Sequence, residues 1–583
     1  MHVARIRSGY TDRRGRRREY ESAYLRRTWR DGGAVRHETL ANLSGLGEQT
    51  VALIEAALKG VPLVPAGQAM TITRSLPHGH VAAVHAMAAR LGLPALLGPA
   101  CPRRDLALAL VISRVVAPSS KLSTLAWWSD TTLGADLGVA QVSADDVSAA
   151  MDWLGARQDA IEARLARRHL APEANPSKMA LFDLSSSWLE GTHCPLAARG
   201  YSRDGKKARL QIEYGLLTDP EGRPVAVRVL PGNTGDPAAL TEIIKVVRDK
   251  FHLARMVMAG DRGMITSARI DALRELDEDH GWITALRGPA IKKLMADDGP
   301  LQLSLFDEQD LAEITSPDFP GERLVACRNP VLAAERARKR EDLLAATERL
   351  LRPLIDRVAA GRLRGADAIG LAVGKVIGTH KMAKHLAVTI TDGSLAIERR
   401  QDQIEAEAAL DGIYVIRTPV PPSELGAGDV VTAYKNLKYA ERDFRHIKAG
   451  DLDLRPVFHR LTRRVKGHVL ICMLAAYLVW HLRRAWAPLT YTDEDPPARP
   501  DPVAPARRSE AAQAKATAQH DQDGRPYRPY RSFRGLLAHL ATLTRNQVRF
   551  AGTPAAVPVL AEPTSEQRQA FDLIGVPIPL ALT

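Results

Sequence analysis

The sequence predicts an α/β protein with a mixed central sheet and further domains on either side of it. Three patterns predict this class: strand-like and helical runs alternate between about 176 and 290, apolar and polar positions alternate before about 65, and helical periodicity dominates from about 66 to 175. The chain has 583 residues, of which 45% are hydrophobic, so it can build several hydrophobic cores.

The N-terminal part is predicted to contain a basic β-rich unit, residues 1–65, and a helical region, residues 66–175. In the first, VARIRS, EYESAYL and VRHETLANL surround a TDRRGRRR turn, and a solvated loop and a DNA-touching ribbon suit this run of cations equally well. The second region is expected to bind DNA, although no recognition helix can be assigned. Its candidate phosphate contacts are Arg114, Lys121, Arg167 and Arg168.

The central part, residues 176–290, shows a definite order of elements. Strands are predicted near 179–184, 210–218 and 224–230, a helix near 237–250, a strand near 255–260, a helix near 265–277 and a strand near 282–287. Three strands, a helix, a strand, a helix and a strand is the order of a ribonuclease H-like domain. This segment is therefore expected to be the first part of such a core.

The remainder is expected to complete the core after an interruption. Residues 291–425 are too many for a loop and predict an α+β insertion domain, because a charged helical stretch precedes HLAVTIT, LAIERR and DGIYVIRT. Residues 426–490 are the second part of the core. The Pro, Ala, Asp and Gln content of 491–527 is typical of a flexible linker, and the segment 491–583 ends in a short helical tail, FRGLLAHLATLTRNQ.

Acidic residues mark the ends of two predicted strands. Asp183 directly follows the apolar run KMALF, and Asp261 closes ARMVMAG. Downstream, the segment YKNLKYAERDFRHIK forms one helical stripe that carries a carboxylate, a phenol and several cations. Its residues are Tyr434, Leu437, Lys438, Glu441, Arg445 and Lys448. This combination suits a metal ion and surrounding phosphates, although a solvated charged face has the same spacing.

These motifs resemble those of a known group of proteins. The fragments VVAPSSKLST, YSRDGKKARLQIEYGLLTD, GNTGDPAAL, AGDRGMIT, DGIYVIRT and FHRLTRRVKGHVLICMLAAYL resemble, in this order, the DDE transposases of bacterial insertion sequences, and within them insertion-sequence family 1634 of the insertion-sequence-4 superfamily. In the signature Tyr-x2-Arg-x3-Glu-x6-Lys of that branch, Tyr434, Glu441 and Lys448 match. Leu437 stands at the Arg position, so the phosphate contact expected there passes to Lys438 or Arg445. The resemblance covers roughly residues 1–485.

The resemblance implies an activity. Asp183, Asp261 and Glu441 would be catalytic and would hold two Mg²⁺ or Mn²⁺ ions, and Tyr434, Lys438, Arg445 and Lys448 would bind DNA. The implied reaction is an endonuclease step, nicking at the ends of the insertion sequence, followed by transfer of the 3′ ends to target DNA. The implied partners are double-stranded DNA, both terminal inverted repeats and target, and a second copy of the chain in a homodimeric synaptic complex.

Composition agrees with a DNA-bound protein. The net charge is +13, which favours a polyanionic partner. The four cysteines are scattered without zinc-binding spacing, so a metal would be held by oxygen. The apolar run VLICMLAAYLVW predicts a buried helix, because it is too short to cross a bilayer. No secretory leader pattern begins the chain, and we expect a cytoplasmic, nucleoid-associated protein with no membrane partner.

Two other classes share part of this pattern. A ribonuclease H-like nuclease or junction resolvase would use the same three acids without the Tyr and Lys grip, and a catalytically inactive repressor derived from a transposase would keep the basic surface but lose an acid. Serine chemistry at Ser185, Ser186 and Ser187 is disfavoured because no base is tied to them by spacing. Asp204, followed by Gly205, is predicted to be a turn residue rather than a ligand.

Overall fold

The structure is a computed structural model, and it describes most of the chain. The described residues are 1–11, 13, 15–61, 70–171, 173, 175, 179–206, 208–253, 256–263, 265, 270, 281–296, 298–307, 309–493, 497, 501–504, 507–520, 530–551 and 553–582.

The elements of the first half follow in chain order. The N-terminal ones are β1 His2–Thr11, β2 Arg17–Asp31, β3 Ala34–Asn42, α1 Glu48–Leu58 and β4 Met70–Pro77. The helical region contains α2 Gly79–Arg90, α3 Leu93–Leu97, α4 Pro102–Val116, α5 Lys121–Ser129, α6 Thr132–Asp136, α7 Ala144–Gly155 and α8 Gln158–His169. Then come β5 Met179–Trp188, β6 Gln211–Thr218, β7 Pro224–Pro231, α9 Asp236–Asp249, β8 Val257–Ala259 and β9 Gly281–Ala285.

The second half begins with an α+β segment and ends in short elements. It contains α10 Gly288–Leu294, β10 Leu311–Ile314, β11 Arg323–Arg328, α11 Pro330–Ala359, α12 Ala366–Ile377, β12 Leu386–Ile390, β13 Leu395–Arg399, α13 Gln401–Ala408 and β14 Ile413–Thr418. The last elements are α14 Ala427–Ala449, α15 Thr462–Ala485, α16 Glu510–His520, α17 Phe533–Ala541, β15 Thr544–Phe550, β16 Ala556–Leu560 and α18 Ser565–Leu573.

The chain divides into two compact units. The smaller unit consists of Met1–Leu76 and Thr544–Ala561, and the larger one of Pro77–Leu543 and Glu562–Thr583. The smaller unit contains an antiparallel sheet β1-β2-β3, with α1 packed on it, and a second sheet in the order β16-β15-β4. The prediction of a helical tail is correct for Phe533–Ala541 and wrong after it. Its TRNQ sequence opens β15, because pairing with β4, more than 400 residues earlier, outweighs local helical preference.

The larger unit is built around an eight-stranded mixed sheet in the order β10-β11-β14-β9-β8-β5-β6-β7. The pairs β5–β8 and β8–β9 are parallel, and β5–β6 and β6–β7 are antiparallel. These five strands and α9 confirm the elements predicted between 179 and 287, whereas most of the predicted helix 265–277 lies outside the described residues. The sequence and the structure agree because β6 is buried throughout and β5 almost throughout, as their apolar runs require.

The predicted insertion domain is smaller than residues 291–425. Strands β10, β11 and β14 extend the central sheet, with β14 pairing both β11 and β9. The remaining segment has its own hydrophobic cluster, in which Leu344 and Leu351 of α11 meet Ile369 of α12 and the β12–β13 hairpin. The sequence did not reveal this boundary, since β14 has the same strand-like composition as the hairpin before it.

Helix α15 is buried, as its apolar sequence predicts. It has the length and hydropathy of a membrane span, but 83% of its apolar window is buried inside the protein, where it packs against α4, α7 and β7. The prediction that 491–527 is a flexible linker is wrong for the parts of this segment that the structure describes, because they pack against the core. Val503 is fully buried in the cluster beneath the central sheet, and the Lys515 amino group of α16 donates to the carbonyl of Ala487 at 2.6 Å.

Candidate active site

A cavity of about 310 Å³ lies where four parts of the chain meet. These are the strands β5 and β14, the helix α14 and the residues directly after β8. All three predicted acids line it, although they come from distant parts of the chain. Its lining residues are Asp183, Asp261, Tyr414, Tyr434, Lys435, Leu437, Lys438 and Glu441.

Strand register explains why Asp183 and Asp261 share the cavity. In the parallel pair β5–β8, Leu181 lies beside Ala259. Asp183 follows Leu181 by two positions, and Asp261 follows Ala259 by two positions, so both Asp side chains lie at the same level of the sheet. Asp261 stands just beyond the end of β8, at the carboxyl edge of the parallel strands, where ligand sites of open sheets form.

Asp183 is an acid of the cavity with a raised pKa. Its Oδ1 accepts a hydrogen bond from the backbone N–H of Leu184 at 2.8 Å. Burial, reinforced by the negative charges of Glu441 and Asp261, raises the pKa of Asp183 to about 7. Asp261, by contrast, is exposed, and its Oδ1 accepts from the backbone N–H of Arg262 at 2.7 Å.

Helix α14 supplies the third acid and the phenol. It packs against β5 and β9, so the stripe from Tyr434 through Lys438 to Glu441 faces the cavity, as its spacing predicts. Burial, together with the nearby charges of Asp261 and Glu441, raises the pKa of Tyr434 to about 12. The phenol therefore keeps its proton at neutral pH and can donate a hydrogen bond.

The cavity has the donor chemistry of a hard divalent cation. Its possible ligands are carboxylate oxygens, which Mg²⁺ and Mn²⁺ prefer, and it contains neither His nor Cys among the described residues. Across the part of the chain that the structure describes, no group of three or more His, Cys, Asp or Glu side chains lies close enough together to form a metal centre. The chemistry of the residues fits the ion, while their present spacing is wider than that of an assembled site.

Lys448 does not occupy its predicted place in the cavity. It lies on α14, but its amino group is 2.8 Å from Oδ1 of Asp204, and Arg455 approaches the same oxygen at 2.8 Å. The side chain of Asp204 is only 1% exposed. Asp204 does lie in a turn, as predicted, but that turn places a buried carboxylate against the end of α14. Lys448 is about 10 Å further along the helix than Glu441, beyond the cavity.

The two other cations considered for the signature, Lys438 and Arg445, differ in whether they line the cavity. Leu437, at the Arg position, is 8% exposed and lines the cavity with Lys438, whereas Arg445 is exposed and does not line it. Of Lys438 and Arg445, the two cations that the sequence offered for the Arg position, Lys438 lines the cavity.

Two lining residues, Tyr414 and Lys435, were not predicted from the sequence. Tyr414 belongs to β14, which was assigned to the insertion domain, and its sequence gives no sign that it reaches the site. Lys435 lies beside Tyr434 on α14, and its amino group donates to the carbonyls of Pro502 and Val503, at 2.5 and 2.8 Å. Lys435 thus holds the segment after the core against the cavity.

A second cavity, of about 760 Å³, shares Lys438 with the first. Aromatic rings of Tyr439, Trp480 and Tyr491 line it, and it is rich in cations. Its cationic residues include Lys438, Arg442, Arg483, Arg484, Arg507 and Arg508. The cavity has fewer acidic residues than cationic ones, and Asp451 is one of them. Burial raises the pKa of Asp451, but hydrogen bonding from His446 and the nearby charge of Arg483 outweigh it and lower this pKa to about 2.

Most of the predicted phosphate contacts in the helical region have other partners. Arg114 is buried and donates to the carbonyls of Leu452 and Ser119, at 3.3 and 3.1 Å. Lys121 lies 3.4 Å from the His468 ring nitrogen, and Arg168 donates to the carbonyl of Leu91 at 2.8 Å. These interactions are structural, so the expectation of phosphate contacts at Arg114 is wrong. Arg167 remains exposed.

Comparisons with known proteins identify one part of the chain. Residues 10–63 match the family model of the IS1634 family transposase N-terminal domain. No curated protein matches the chain. Among solved structures, one similar chain is a piggyBac transposase in a synaptic complex with hairpin DNA, at 9% identity, with a TM-score of 0.24 over 69% of this chain and 79% of that one.

Proposed function

We propose that the chain is a transposase of the IS1634 family, whose N-terminal domain model matches residues 10–63, and that the cavity lined by Asp183, Asp261 and Glu441 is where it cuts the ends of its insertion sequence and joins them to target DNA. One observation carries the proposal: three carboxylates from separate segments line one cavity, together with a phenol and a cation. Nothing in the local sequence obliges them to meet.

The order of the core strands supports a ribonuclease H-like assignment. The consecutive strands β5, β6 and β7 form antiparallel neighbours, and β8 and β9 then pair in parallel on the other side of β5. This arrangement places β5 at the centre with Asp183 on it, and brings α14 across the sheet. It is the order expected of a core of that kind.

The chemistry required is phosphoryl transfer at an anionic diester, and each lining residue suits one part of it. Bound Mg²⁺ or Mn²⁺, in two sites by the family resemblance, would supply charge stabilisation at the scissile phosphate. The hydrogen bond from the Leu184 N–H orients the Asp183 carboxylate. The Tyr434 O–H can donate to a phosphate oxygen, and the Lys438 ammonium offsets phosphate charge. We assign Asp183, Asp261 and Glu441 the role of ion ligands.

The second cavity supports a path for the DNA beyond the scissile phosphate. Lys438 lines both cavities, so a strand that leaves the carboxylates next to it enters a surface rich in Arg and aromatic rings. Arginine pairs with phosphates, and aromatic faces accept bases. We therefore assign this surface to the DNA that flanks the cleavage point.

Replacing Lys438 by Ala is expected to weaken binding of end DNA and to lower the slope of log K against log salt by about one unit, because one phosphate contact is lost. Fluorescence anisotropy at several salt concentrations measures this. Arg445→Ala is the matched control, since Arg445 lies on the same helix outside the cavity and its loss should leave the slope nearly unchanged. Equal losses in both variants would remove Lys438 from the phosphate path.

A cleavage assay tests the proposed function. Purified protein is incubated with duplexes that carry the ends of the DNA bracketing its gene, together with target plasmid, in Mg²⁺, in Mn²⁺ or in EDTA. We expect nicked ends and joined products with either ion and none in EDTA. Nicking without joining would favour the nuclease or resolvase alternative, and binding without nicking in either ion would favour the inactive repressor.

A further inference from the structure

The three-stranded sheet of the smaller unit has two faces of opposite electrostatic character. Pairing fixes which residues share a face, because directly opposed residues of antiparallel strands point the same way. Ala23 and Leu25 on one face pack against Val51 of α1, and we call this face the covered face. We call the opposite one the open face. Prominent on the open face are Ile6, Tyr10, Arg18, Tyr20, Arg26 and Arg30.

All carboxylates of the three strands lie on the covered face. They are Glu19, Glu21, Asp31 and Glu38, each opposite or alternating with a residue that faces α1. Ion pairs compensate several cations of that face: Arg5 lies 2.6 Å from Glu48 of α1, Arg7 lies 2.9 Å from Glu21, and Arg36 lies 2.9 Å from Asp31. The covered face is therefore nearly neutralised from within.

The open face has cations and aromatic rings without any carboxylate. Arg18 and Arg30 are exposed, and Arg26 lies 5.7 Å above the Tyr24 ring. Tyr10 and Tyr20 are 53% and 47% exposed, although their rings stack with centroids 5.7 Å apart. Exposed apolar and aromatic surface combined with uncompensated positive charge is unusual for a face that meets only water.

We propose that the open face binds double-stranded DNA and is the element by which this transposase grips its DNA apart from the catalytic cavity. The charge pattern suits a polyanion, because the open face would bring no carboxylate near the phosphates. An extended ribbon of antiparallel strands fits the major groove of a duplex, where Arg can reach both phosphates and guanine edges. The tyrosines already stack on each other, so they offer contact area more than free platforms for unpaired bases.

Substituting the three open-face arginines tests the proposal in the full-length chain. The variant Arg18→Gln/Arg26→Gln/Arg30→Gln should bind a labelled duplex carrying the element's end about 10- to 100-fold more weakly in moderate salt, and its salt slope should fall by about two to three units. Anisotropy is measured in EDTA, so cleavage does not contribute. Thermal unfolding of each variant checks that the fold is retained.

The matched control removes the same charge from the covered face. Arg7, Arg27 and Arg36 lie on the same three strands with their side chains on the α1 side. The variant Arg7→Gln/Arg27→Gln/Arg36→Gln breaks the ion pairs of Arg7 with Glu21 and of Arg36 with Asp31, but it should change duplex affinity no more than about threefold, because these side chains do not face the duplex and only screened, longer-range charge is lost. The Arg18→Lys/Arg26→Lys/Arg30→Lys variant should recover most of the salt slope. A stably folded open-face Gln variant that binds like wild type, or like the control variant, overturns the proposal.

This inference is separable from the function proposed for the cavity, although it rests on the chain acting on DNA. If wild type nicks end DNA in Mg²⁺ but the open-face Gln variant binds the duplex normally, the open face is excluded and the catalytic assignment stands. If the open-face variant loses binding while wild type never cleaves in either ion, the open face is supported and the catalytic assignment fails. A larger loss for single-stranded DNA of the same sequence than for the duplex also overturns the proposal.

Discussion

Replacing Asp183, Asp261 or Glu441 singly by Ala is expected to abolish both nicking and strand transfer and to leave binding of the element's ends largely intact. The three side chains line one cavity and are assigned to hold ions, not to grip DNA. Losing several kcal/mol of charge stabilisation in the transition state corresponds to a rate decrease of about a thousandfold or more. Gel assays of nicked and joined products measure the activity, and anisotropy measures the binding.

Isosteric and remote variants control this experiment. Asp183→Asn, Asp261→Asn and Glu441→Gln preserve side-chain volume and should be equally inactive. Asp249→Ala removes a half-exposed carboxylate at the end of α9, which pairs with Arg248 and lies outside the cavity, and it should cut at the wild-type rate. Near-normal cleavage in Mg²⁺ by a variant of any of the three acids would exclude that residue from the site.

The sequence could predict these acids because each is marked by regular structure. Asp183 lies within β5, after the apolar run that opens it, and the strand continues to Trp188, so the prediction that Asp183 ends a strand is wrong. Asp261 does follow its strand, β8, and the parallel pairing of β5 with β8 brings both residues to one level of the sheet. Glu441 lies on a helical stripe whose spacing fixes which side chains point together. Local pattern and tertiary structure agree at Asp261 and Glu441.

Other features depend on contacts that no local pattern contains. The helical spacing that grouped Glu441 with Lys448 fixes direction around the axis, but it does not fix how far along the helix the cavity extends. Strand β14 has the composition of the preceding hairpin, and only its pairing with β9 makes it part of the central sheet. That pairing also brings Tyr414 to the cavity, which explains why the sequence gave no warning of it.

The buried pair at the end of α14 leads to an expectation different from the one made for a phosphate contact. Replacing Asp204 by Ala should lower the free energy of unfolding of the larger unit by about 3–5 kcal/mol, because it leaves the charges of Lys448 and Arg455 uncompensated around a buried position. Chemical denaturation followed by tryptophan fluorescence measures the loss. For the same reason Lys448→Met should leave the salt slope of DNA binding unchanged, since Asp204 already neutralises that ammonium.

Two further variants separate the ion pair from general damage at the turn. Glu190→Ala breaks an ion pair with Arg209 at 2.7 Å in which the side chains are 44% and 53% exposed, so it should cost less than about 1 kcal/mol. Adding Lys448→Met to Asp204→Ala removes one of the two stranded cations and should restore part of the lost stability. Additive losses in the double variant would show that Lys448 and Asp204 do not stabilise each other, and a flatter salt slope for Lys448→Met alone would return that lysine to the DNA.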